Sequence, residues 1–320
     1  MKTSPRTRTT RKRAASAATH SQHSPAVPHL GLVCITAGPE VRYRTITRTR
    51  FLALGEQKGR AALEELYRHN LQILFQAVDF CRANDIRLYR VTSNLFPQVD
   101  SPTGREVREK LGEAMHPFGD YARSNNVRVV LHPDQFVVLN SESDRVVANS
   151  VAIMEDHART FDLLDLPATG WSAMTLHGGK RGRSDALLEQ IRRLPDNVRN
   201  RLVLENDECA YGAEQILHIC RAAGVPMVFD AHHHLIHARL DSYEHDSIRF
   251  FTQAARSTWP DPAWQIVHIS NGQRALADSC HHDLVKAFPS AFRDVPWVEV
   301  EAKKKELAIK WLRRQQCTVT

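Results

Sequence analysis

The sequence predicts an α/β protein with one (β/α)8 barrel, the TIM-barrel architecture, over most of its 320 residues. Eight short apolar runs rich in Val, Ile and Leu alternate with longer segments of helical periodicity. Side chains that can bind metal ions end one apolar run after another. A doubly wound open sheet is the structural alternative, but no G-x-G-x-x-G motif follows the first run, which disfavours a dinucleotide-binding fold.

The predicted strands are short and apolar, as is typical of parallel strands that are buried on both faces. They cover residues 29–35, 88–92, 127–132, 173–177, 202–205, 227–230, 265–269 and 297–301. Amphipathic periodicity predicts helices over residues 58–84, 144–164, 213–223 and 304–316, and Gly224 is a natural C-cap for the third of these. The connection between the seventh and eighth strands has the weakest helical pattern.

The positive charge lies mostly in the first 28 residues. The net charge of the chain is +7, and residues 1–28 contain six Lys and Arg residues and no acid, so the remainder is nearly neutral. Ser, Thr, Ala and Pro dominate this segment, which predicts a disordered basic tail followed by a barrel domain over residues 29–320. The tail either adds non-specific attraction to phosphates or is a passive extension. It contains no apolar segment of the kind found in secretory signals.

Cysteine spacing and hydropathy predict a cytoplasmic protein. None of the six cysteines forms a C-x-x-C pair, and a chain of this length does not need disulfides, so we expect reduced thiols. No apolar stretch reaches the roughly 18 residues that a membrane span needs, so we expect no membrane partner. Nothing in the sequence requires an obligate protein partner either.

Six successive predicted strands end in, or carry, a potential metal ligand: His132, His177, Glu205, Asp230, His268 and Glu301. In a barrel these strand ends meet on one face, where active sites form. Imidazoles and carboxylates gathered there would be poorly paired unless a cation compensated them. Nitrogen and oxygen ligands without thiolates suit Mn, Zn or Fe. The candidates outnumber the three or four ligands of a single catalytic ion, so we expect more than one ion, an arrangement typical of phosphodiester cleavage.

The motifs "LHPDQF", "LHGG", "LENDE", "DAHHH", "VHIS" and "VEVEAKKKE", together with "RVTSNLFP", resemble the UV damage endonuclease family over residues 30–309. The resemblance implies a single TIM barrel related to endonuclease IV, with a cluster of divalent ions. It implies an enzyme that nicks damaged double-stranded DNA on the 5′ side of UV photoproducts and of some other lesions, which begins excision repair.

The resemblance also implies a set of ligands for three ions, with Mn²⁺ expected and Zn²⁺ as the alternative. One ion would be bound by His132, His177 and Glu205, a second by Glu205, Asp230, His268 and Glu301, and a third by His233 and His281. In "SCHHD" His282 is an alternative to His281. In "FDAHHHLIH" the other histidines, His232, His234 and His237, are left with supporting or loop roles. Glu205, Glu301 and Lys303 are the residues expected to act in catalysis.

The same resemblance implies contacts with the damaged duplex. Gln135 and Phe136 match the pair that probes the lesion in the family. Basic loops on the same face offer phosphate contacts, namely Arg42, Tyr43, Arg44, Lys180, Arg181 and Arg183. Two positions depart from the family: Leu32 stands where many relatives have Tyr, which affects the lesion contacts. Ile266 stands where some relatives have a lysine, which affects the surroundings of the third ion.

Three other functions remain open from the sequence. A sugar isomerase or epimerase of the same barrel superfamily uses a Glu, Asp, His, Glu quartet, which is present as Glu205, Asp230, His268 and Glu301; the additional histidines disfavour it. An endonuclease IV-like enzyme acting at abasic sites would share the ions but not the Gln135–Phe136 pair. A non-enzymatic metal- or DNA-binding protein would bind without nicking.

Overall fold

The computed structural model describes residues 28–317, which form one closed barrel of eight parallel strands in sequence order. This confirms the predicted fold class. Apart from Pro28, the predicted basic tail lies outside the described residues. The strands are β1 (His29–Val33), β2 (Leu88–Val91), β3 (Arg128–Leu131), β4 (Met174–His177), β5 (Leu202–Glu205), β6 (Met227–Asp230), β7 (Ile266–Ile269) and β8 (Trp297–Val300).

Helices surround the barrel, and the four predicted from periodicity are present as α2 (Gly55–Ala83), α6 (Asp144–Leu163), α9 (Ala213–Ala223) and α12 (Lys305–Cys317). Gly224 caps α9 in the left-handed conformation with φ 68°, as expected. The helices are α1 (Arg48–Ala53), α2 (Gly55–Ala83), α3 (Pro102–Lys110), α4 (Gly112–Met115), α5 (Pro117–Ser124), α6 (Asp144–Leu163), α7 (Ser184–Arg193), α8 (Asp196–Arg199), α9 (Ala213–Ala223), α10 (Ala231–Ala238), α11 (Asp246–Arg256) and α12 (Lys305–Cys317).

One part of the expected repeat is missing. The predicted (β/α)8 repeat has a helix after each strand, but the fully described connection from β7 to β8 has no α-helix, only the 3-10 turn Ser290–Phe292. Between Gly272 and His281 this connection forms an antiparallel bridge, so it is a long ordered loop beside the carboxyl end of the barrel. The weak helical pattern there reflects this loop.

Strand alternation places two different layers inside the barrel, because every second side chain of a strand points inward. The lower layer is apolar and includes Leu88, Val130, Val203, Val228, Ile266 and Trp297. Two residues further along the same strands, the inward positions are Arg90, His132, Glu205, Asp230, His268 and Glu299. A charged layer therefore rests directly on an apolar one. Ile266, the position at which some relatives have a lysine, belongs to the apolar layer.

The outward side chains of the strands form the main core with the helices. Helix α2 contributes a stripe at helical spacing that includes Leu63, Tyr67, Leu71 and Leu74, all at most 6% exposed. Leu32 belongs to this core. It therefore faces the helices and not the interior of the barrel. From there its side chain cannot make the lesion contact that the tyrosine of relatives is expected to make.

A buried arginine closes the amino end of the barrel. The Arg128 guanidinium donates hydrogen bonds to the backbone oxygens of Gly170, Trp171 and Trp264. Its carbon lies 4.6 Å from the centre of the Trp171 ring and 5.3 Å from that of Trp297. Burial lowers the pKa of Arg128 to about 9. This end is thus packed, and the site lies at the other end.

Among the described helices, none combines the length and the hydropathy that crossing a bilayer would require.

Two helical glycines give a matched test of close packing. A Cβ on Gly119 in α5 would lie 2.2 Å from the backbone oxygen of Asp165, whereas the nearest atom to a Cβ on Gly112 would be the flexible Leu163 Cδ2, at 3.3 Å. We expect Gly119→Ala to lower the free energy of unfolding by about 1–3 kcal/mol, because backbone atoms must move apart. Gly112→Ala should change it by less than about 1 kcal/mol. Urea denaturation measures both; equal effects would contradict the packing.

Candidate metal centre

The carboxylate of Glu205 is the centre of the charged layer. This residue ends β5 and is 1% exposed. Its Oε2 lies 3.1 Å from Nε2 of His132, the first residue after β3, and its Oε1 lies 3.0 Å from Nδ1 of His268 in β7. Because β3 and β7 stand on opposite sides of β5, a single carboxylate joins side chains from different sides of the barrel.

Two further histidines complete the surroundings of Glu205. His177 ends β4, and its Nε2 lies 3.9 Å from Glu205 Oε2. His233, in the first turn of α10, places Nδ1 at 3.5 Å from Glu205 Oε1. Its ring centre is 5.7 Å from that of His177, which in turn is 5.0 Å from that of His132. Four imidazoles from four different parts of the barrel therefore face one carboxylate.

Asp230 ends β6 and uses its two oxygens differently. Oδ1 accepts a hydrogen bond of 2.7 Å from the backbone N–H of His233 and so caps α10. Oδ2 is buried and has no hydrogen-bond partner among the described residues. Asn206 fixes the strand end, because its side chain accepts from the N–H of Asp230 and donates to its C=O. Burying a carboxylate oxygen without a partner lowers the stability of the fold. A cation beside Glu205 and His233 would be such a partner for Oδ2.

Backbone carbonyls orient two of the rings. Nδ1 of His132 lies 2.9 Å from the C=O of Pro133, and Nδ1 of His233 lies 3.0 Å from the C=O of Asn206. A carbonyl can only accept, so in each neutral ring the proton belongs on Nδ1 and the lone pair on Nε2. For His132, that lone pair points toward Glu205.

Glu301 follows β8 directly and extends the cluster toward the β7–β8 loop. Its Oε1 lies 3.5 Å from His268 Nδ1, and its Oε2 lies 4.0 Å from Nδ1 of His281. His281 lines the cavity above the cluster. Nδ1 of His282 instead accepts a hydrogen bond from the N–H of Leu284 at 2.9 Å. The geometry thus favours His281 over His282 as a ligand.

Arg90 and Glu299 also belong to the cluster, although neither was predicted from the sequence. Nη1 of Arg90 lies 2.5 Å from Glu301 Oε1 and 2.9 Å from Glu299 Oε2, and Glu299 Oε2 lies 3.3 Å from His268 Nε2. Both residues are buried. Alternation along β8 was the available signal, since 297, 299 and 301 share one face.

The charges in the cluster stabilise one another. Burial works to raise the pKa of Glu205, but the neighbouring His268 and His177 hold it well below its usual range. Burial likewise works to lower the pKa of His268, yet Glu205 and Glu299 hold it well above 6.5. The pKa of His233 is raised to about 9, against the effect of burial, by Asp230 and nearby glutamates. Metal ions bind neutral imidazole, so loading of this site would release protons.

The donor set fits divalent ions. In three groups the potential ligand atoms lie within 4.8 Å of one another: His132, His177 and Glu205; Glu205, Asp230 and His233; and His268, Glu299 and Glu301. These groups contain imidazole nitrogens and carboxylate oxygens without thiolates, which suits Mn²⁺, Zn²⁺ or Fe²⁺. A cavity of about 810 Å³ at the carboxyl end of the barrel gives access to them.

In the stretch 229–237 the structure separates His233 from the other histidines. Both ring nitrogens of His232 are paired, Nδ1 with the Tyr243 hydroxyl at 2.6 Å and Nε2 with the C=O of Asp278 at 2.9 Å. His234 Nε2 pairs with the hydroxyl of Ser247 at 2.9 Å. These contacts leave His233 as the ring of this stretch that faces Glu205.

Gln135 lies at the rim of the cavity above the cluster, and Phe136 lines a neighbouring cavity that shares Ser93 and Asp134 with it. Both are exposed, Phe136 by 65%, and Gln135 lines the cavity. Lys180 also lines the cavity, and its Nζ lies 3.2 Å from Glu142 Oε2. A solvent-exposed pair of this kind is weak, so Lys180 can exchange it for another anion.

The remaining expected DNA contacts already have protein partners. Arg42 donates to the C=O of Ala37, the Tyr43 hydroxyl pairs with that of Tyr89, and Arg44 lies near Glu65. In the loop after β4, Arg181 pairs with the C=O of Cys209 and Arg183 donates to that of Asn140. Lys303 is exposed and donates to Gln273 Oε1 at 2.8 Å. Their phosphate contacts stay predictions.

Comparison with known sequences gives one family. The model of the family UV-endonuclease UvdE matches residues 28–318. The UV DNA damage endonuclease of Nostoc sp. is 50% identical over 290 residues, which cover 90% of this chain and 90% of that protein. The UV DNA damage endonuclease of Deinococcus radiodurans is 49% identical over 291 residues, which cover 90% and 95%.

Solved structures share the barrel. The crystal structure of SacUVDE superposes with a TM-score of 0.76 at 24% identity and covers 90% of this chain and 99% of that one. Endonuclease IV from Thermus thermophilus gives a TM-score of 0.52 at 16% identity, covering 90% and 100%. At these identities the likeness concerns the fold.

Alanine substitutions of the two adjacent histidines test the separation seen in the structure. We expect His233→Ala to reduce the bound divalent metal per chain, because its ring faces Glu205 and Asp230. His232→Ala should keep the metal content and instead lower the free energy of unfolding by about 1–3 kcal/mol, because the partners of a buried ring lose their hydrogen bonds. Elemental analysis and urea denaturation measure the two effects. Equal metal loss in both variants would contradict this division.

Proposed function

The chain belongs to the UV-endonuclease UvdE family, and from this premise we propose that it is a UV DNA damage endonuclease which uses divalent metal ions to hydrolyse the DNA backbone immediately 5′ to a photoproduct. The observation that carries the proposal is the buried Glu205, surrounded by four histidines at the base of an open cavity. The exposed Gln135 lines the same cavity, and the exposed Phe136 lines the cavity beside it. The reaction would begin excision repair of chromosomal DNA in the cytoplasm.

Three ions, with Mn²⁺ expected and Zn²⁺ as the alternative, are assigned to these ligands. His132, His177 and Glu205 would hold the first, Glu205, Asp230, His268 and Glu301 the second, and His233 and His281 the third. When bound, such ions activate a water molecule and stabilise the charge that develops on the phosphate and the departing oxygen.

The chain's own contribution is to fix these groups before DNA arrives. The carbonyls of Pro133 and Asn206 orient the His132 and His233 rings, and Nε2 of His233 lies 3.6 Å from Glu208 Oε2. The α10 cap holds Asp230, whose Oδ2 stays unpaired and available. Preorganised groups of this kind need not reorient during the reaction, and that is the main source of electrostatic catalysis.

Gln135 and Phe136 would contact the lesion. A flat apolar side chain inserted at a damaged step can replace lost base stacking and support displacement of the damaged bases. Of the basic residues expected to contact phosphates, Lys180 has the most suitable position, at the cavity wall with a single exposed ion pair. Lys303 would reach the scissile phosphate after leaving Gln273. The basic tail would add attraction that does not depend on sequence.

The surplus of histidines argues against a sugar isomerase. The quartet of such an enzyme is present, but His132, His177 and His233 also lie within 4 Å of Glu205. A site for one ion needs three or four protein ligands. Three additional imidazoles around the same carboxylate would have no function there.

Replacing the central carboxylate tests the metal-dependent reaction. We expect Glu205→Gln to lower the rate of incision of a duplex with one thymine dimer by more than about 100-fold, since even outer partners of metal ligands contribute 10–100-fold. Metal content should fall as well. Labelled duplex, purified protein and Mn²⁺ are the assay components.

Glu214→Gln, an exposed substitution in the first turn of α9, is the control and should behave as the unmodified chain. An undamaged duplex of the same sequence gives the background. Full incision by the Glu205→Gln variant would refute the assigned role.

Two exposed phenylalanines test lesion probing. Phe136 is 65% exposed in the neighbouring cavity, and Phe250 is 59% exposed on α11. We expect Phe136→Ala to weaken binding of the damaged duplex by about 1–3 kcal/mol, the value of an aromatic stacking contact, with little effect on metal content. Phe250→Ala should leave binding unchanged. Fluorescence anisotropy measures both, and equal affinities for all three proteins would exclude Phe136 from recognition.

A further inference from the structure

Glu299 has no role in the assigned ligand set, although it is completely buried beside it. Its Oε2 lies 3.3 Å from His268 Nε2 on one side and 2.9 Å from Arg90 Nη1 on the other. Glu299 and His268 are both 0% exposed, and Arg90 is 9% exposed. Arginine, carboxylate and imidazole therefore form a continuous buried row that ends at the metal cluster.

The two nitrogens of His268 face different surroundings. Nδ1 points toward the cluster, 3.0 Å from Glu205 Oε1 and 3.5 Å from Glu301 Oε1. Nε2 points away from it, toward Glu299. A neutral imidazole carries one proton, and an ionised carboxylate can only accept. Glu205 competes for this proton, because its Oε1 pairs with Nδ1. An ion bound at Nδ1 would exclude the proton from that atom and leave it on Nε2, which faces Glu299.

We propose that Glu299, held by Arg90, is a positioning residue that keeps the proton of His268 on Nε2 and so presents the Nδ1 lone pair to the ion shared with Glu205 and Glu301. The inference rests on the proposed metal-dependent function. Carboxylates behind metal-binding histidines commonly fix the ring in this way. Arg90 supplies the charge that the buried Glu299 needs and also contacts Glu301, so one guanidinium holds two carboxylates in place.

Glu299 could instead be a metal ligand, because its oxygens lie within 4.8 Å of donor atoms of His268 and Glu301. The position of Arg90 argues against this. Its Nη1 contacts both carboxylates, at 2.9 Å and 2.5 Å, and so fills the space between them. An ion that bridged Glu299 and Glu301 would therefore have to displace this guanidinium.

Glu299→Gln distinguishes these two roles. A glutamine has one accepting oxygen and one donating NH2 group, whereas the carboxylate accepts on both sides. Arg90 can only donate, so it should attract the amide oxygen, and the NH2 group then faces His268 Nε2. A donor in that position forces the imidazole proton onto Nδ1, where it blocks the metal.

The double variant Arg90→Gln/Glu299→Gln should reverse the effect. The amide introduced at position 90 can present its oxygen to the NH2 group of the amide at position 299, which an arginine cannot do. The amide at position 299 is then free to turn its own oxygen toward His268, and the proton returns to Nε2. Glu306→Gln is the control, because Glu306 is 5% exposed and accepts from the N–H of Ala37, outside the row.

The experiment uses the full chain loaded with Zn²⁺ and labelled with ¹⁵N in histidine, and His268→Gln assigns the signal. Ring nitrogen shifts show which atom carries the proton, and competition with a chromophoric chelator gives the Zn²⁺ affinity. We expect Nε2–H in the unmodified chain and in Glu306→Gln. Glu299→Gln should bind Zn²⁺ about 10–100-fold more weakly, and the double variant should recover part of that loss together with the Nε2–H form.

A proton on Nδ1 in the unmodified chain would overturn the inference whatever the variants do, including a variant that fails to fold. Unchanged affinity and shifts in Glu299→Gln would also overturn it. Weaker binding that the double variant does not recover would make Glu299 a direct ligand. Failure of the unmodified chain to nick damaged DNA, with these shifts and affinities as expected, would refute the proposed function and leave the role of Glu299 intact.

Discussion

The Glu205 carboxylate is enclosed within the barrel, and the residues around it must compensate its charge. An ionised group at 1% exposure must be compensated by neighbours, because water cannot reach it. The neighbours come from the ends of β3, β4 and β6, from α10 and from β7, and all of them except His177 are held in turn by a carbonyl, a cap or a second carboxylate. Each buried charge of the site therefore requires a neighbouring residue that compensates it, so the residues of the site depend on one another.

The apolar layer below the site makes this arrangement possible. Val203 and Ile266 are the inward-facing residues that precede Glu205 and His268 on their strands, and their side chains contain no polar atom. The charged groups are thus confined to a single level, where they can reach one another. The side chain of a lysine at position 266 would start from the apolar layer. Compared with relatives that have this lysine, the chain therefore lacks a charge below the cluster, while the layer that contains Glu205 is the same.

The sequence was sufficient for the fold and for the main ligand candidates, because short apolar runs and their terminal polar residues depend on local patterns. The strand ends differ by one or two residues: His132 and Glu301 lie just past β3 and β8, since pairing with the neighbouring strand stops before them. Alternation along β8 places Glu299 on the same face as Glu301, but the contact between Arg90 and Glu299 joins residues far apart in the sequence, and no local pattern encodes it. Leu32 could have been placed correctly, since alternation puts Gly31 and Val33 on the inner face.

The packed amino end of the barrel affects the order in which ions and DNA can bind. Arg128, its tryptophans and the apolar layer occupy the interior below the site, so the described residues leave the carboxyl mouth as the common entrance for ions, water and DNA. A duplex docked on that mouth would cover it. On the proposed function, the ions would be loaded before DNA binds and retained until it leaves, so a chelator added after docking would remove them only after the product is released.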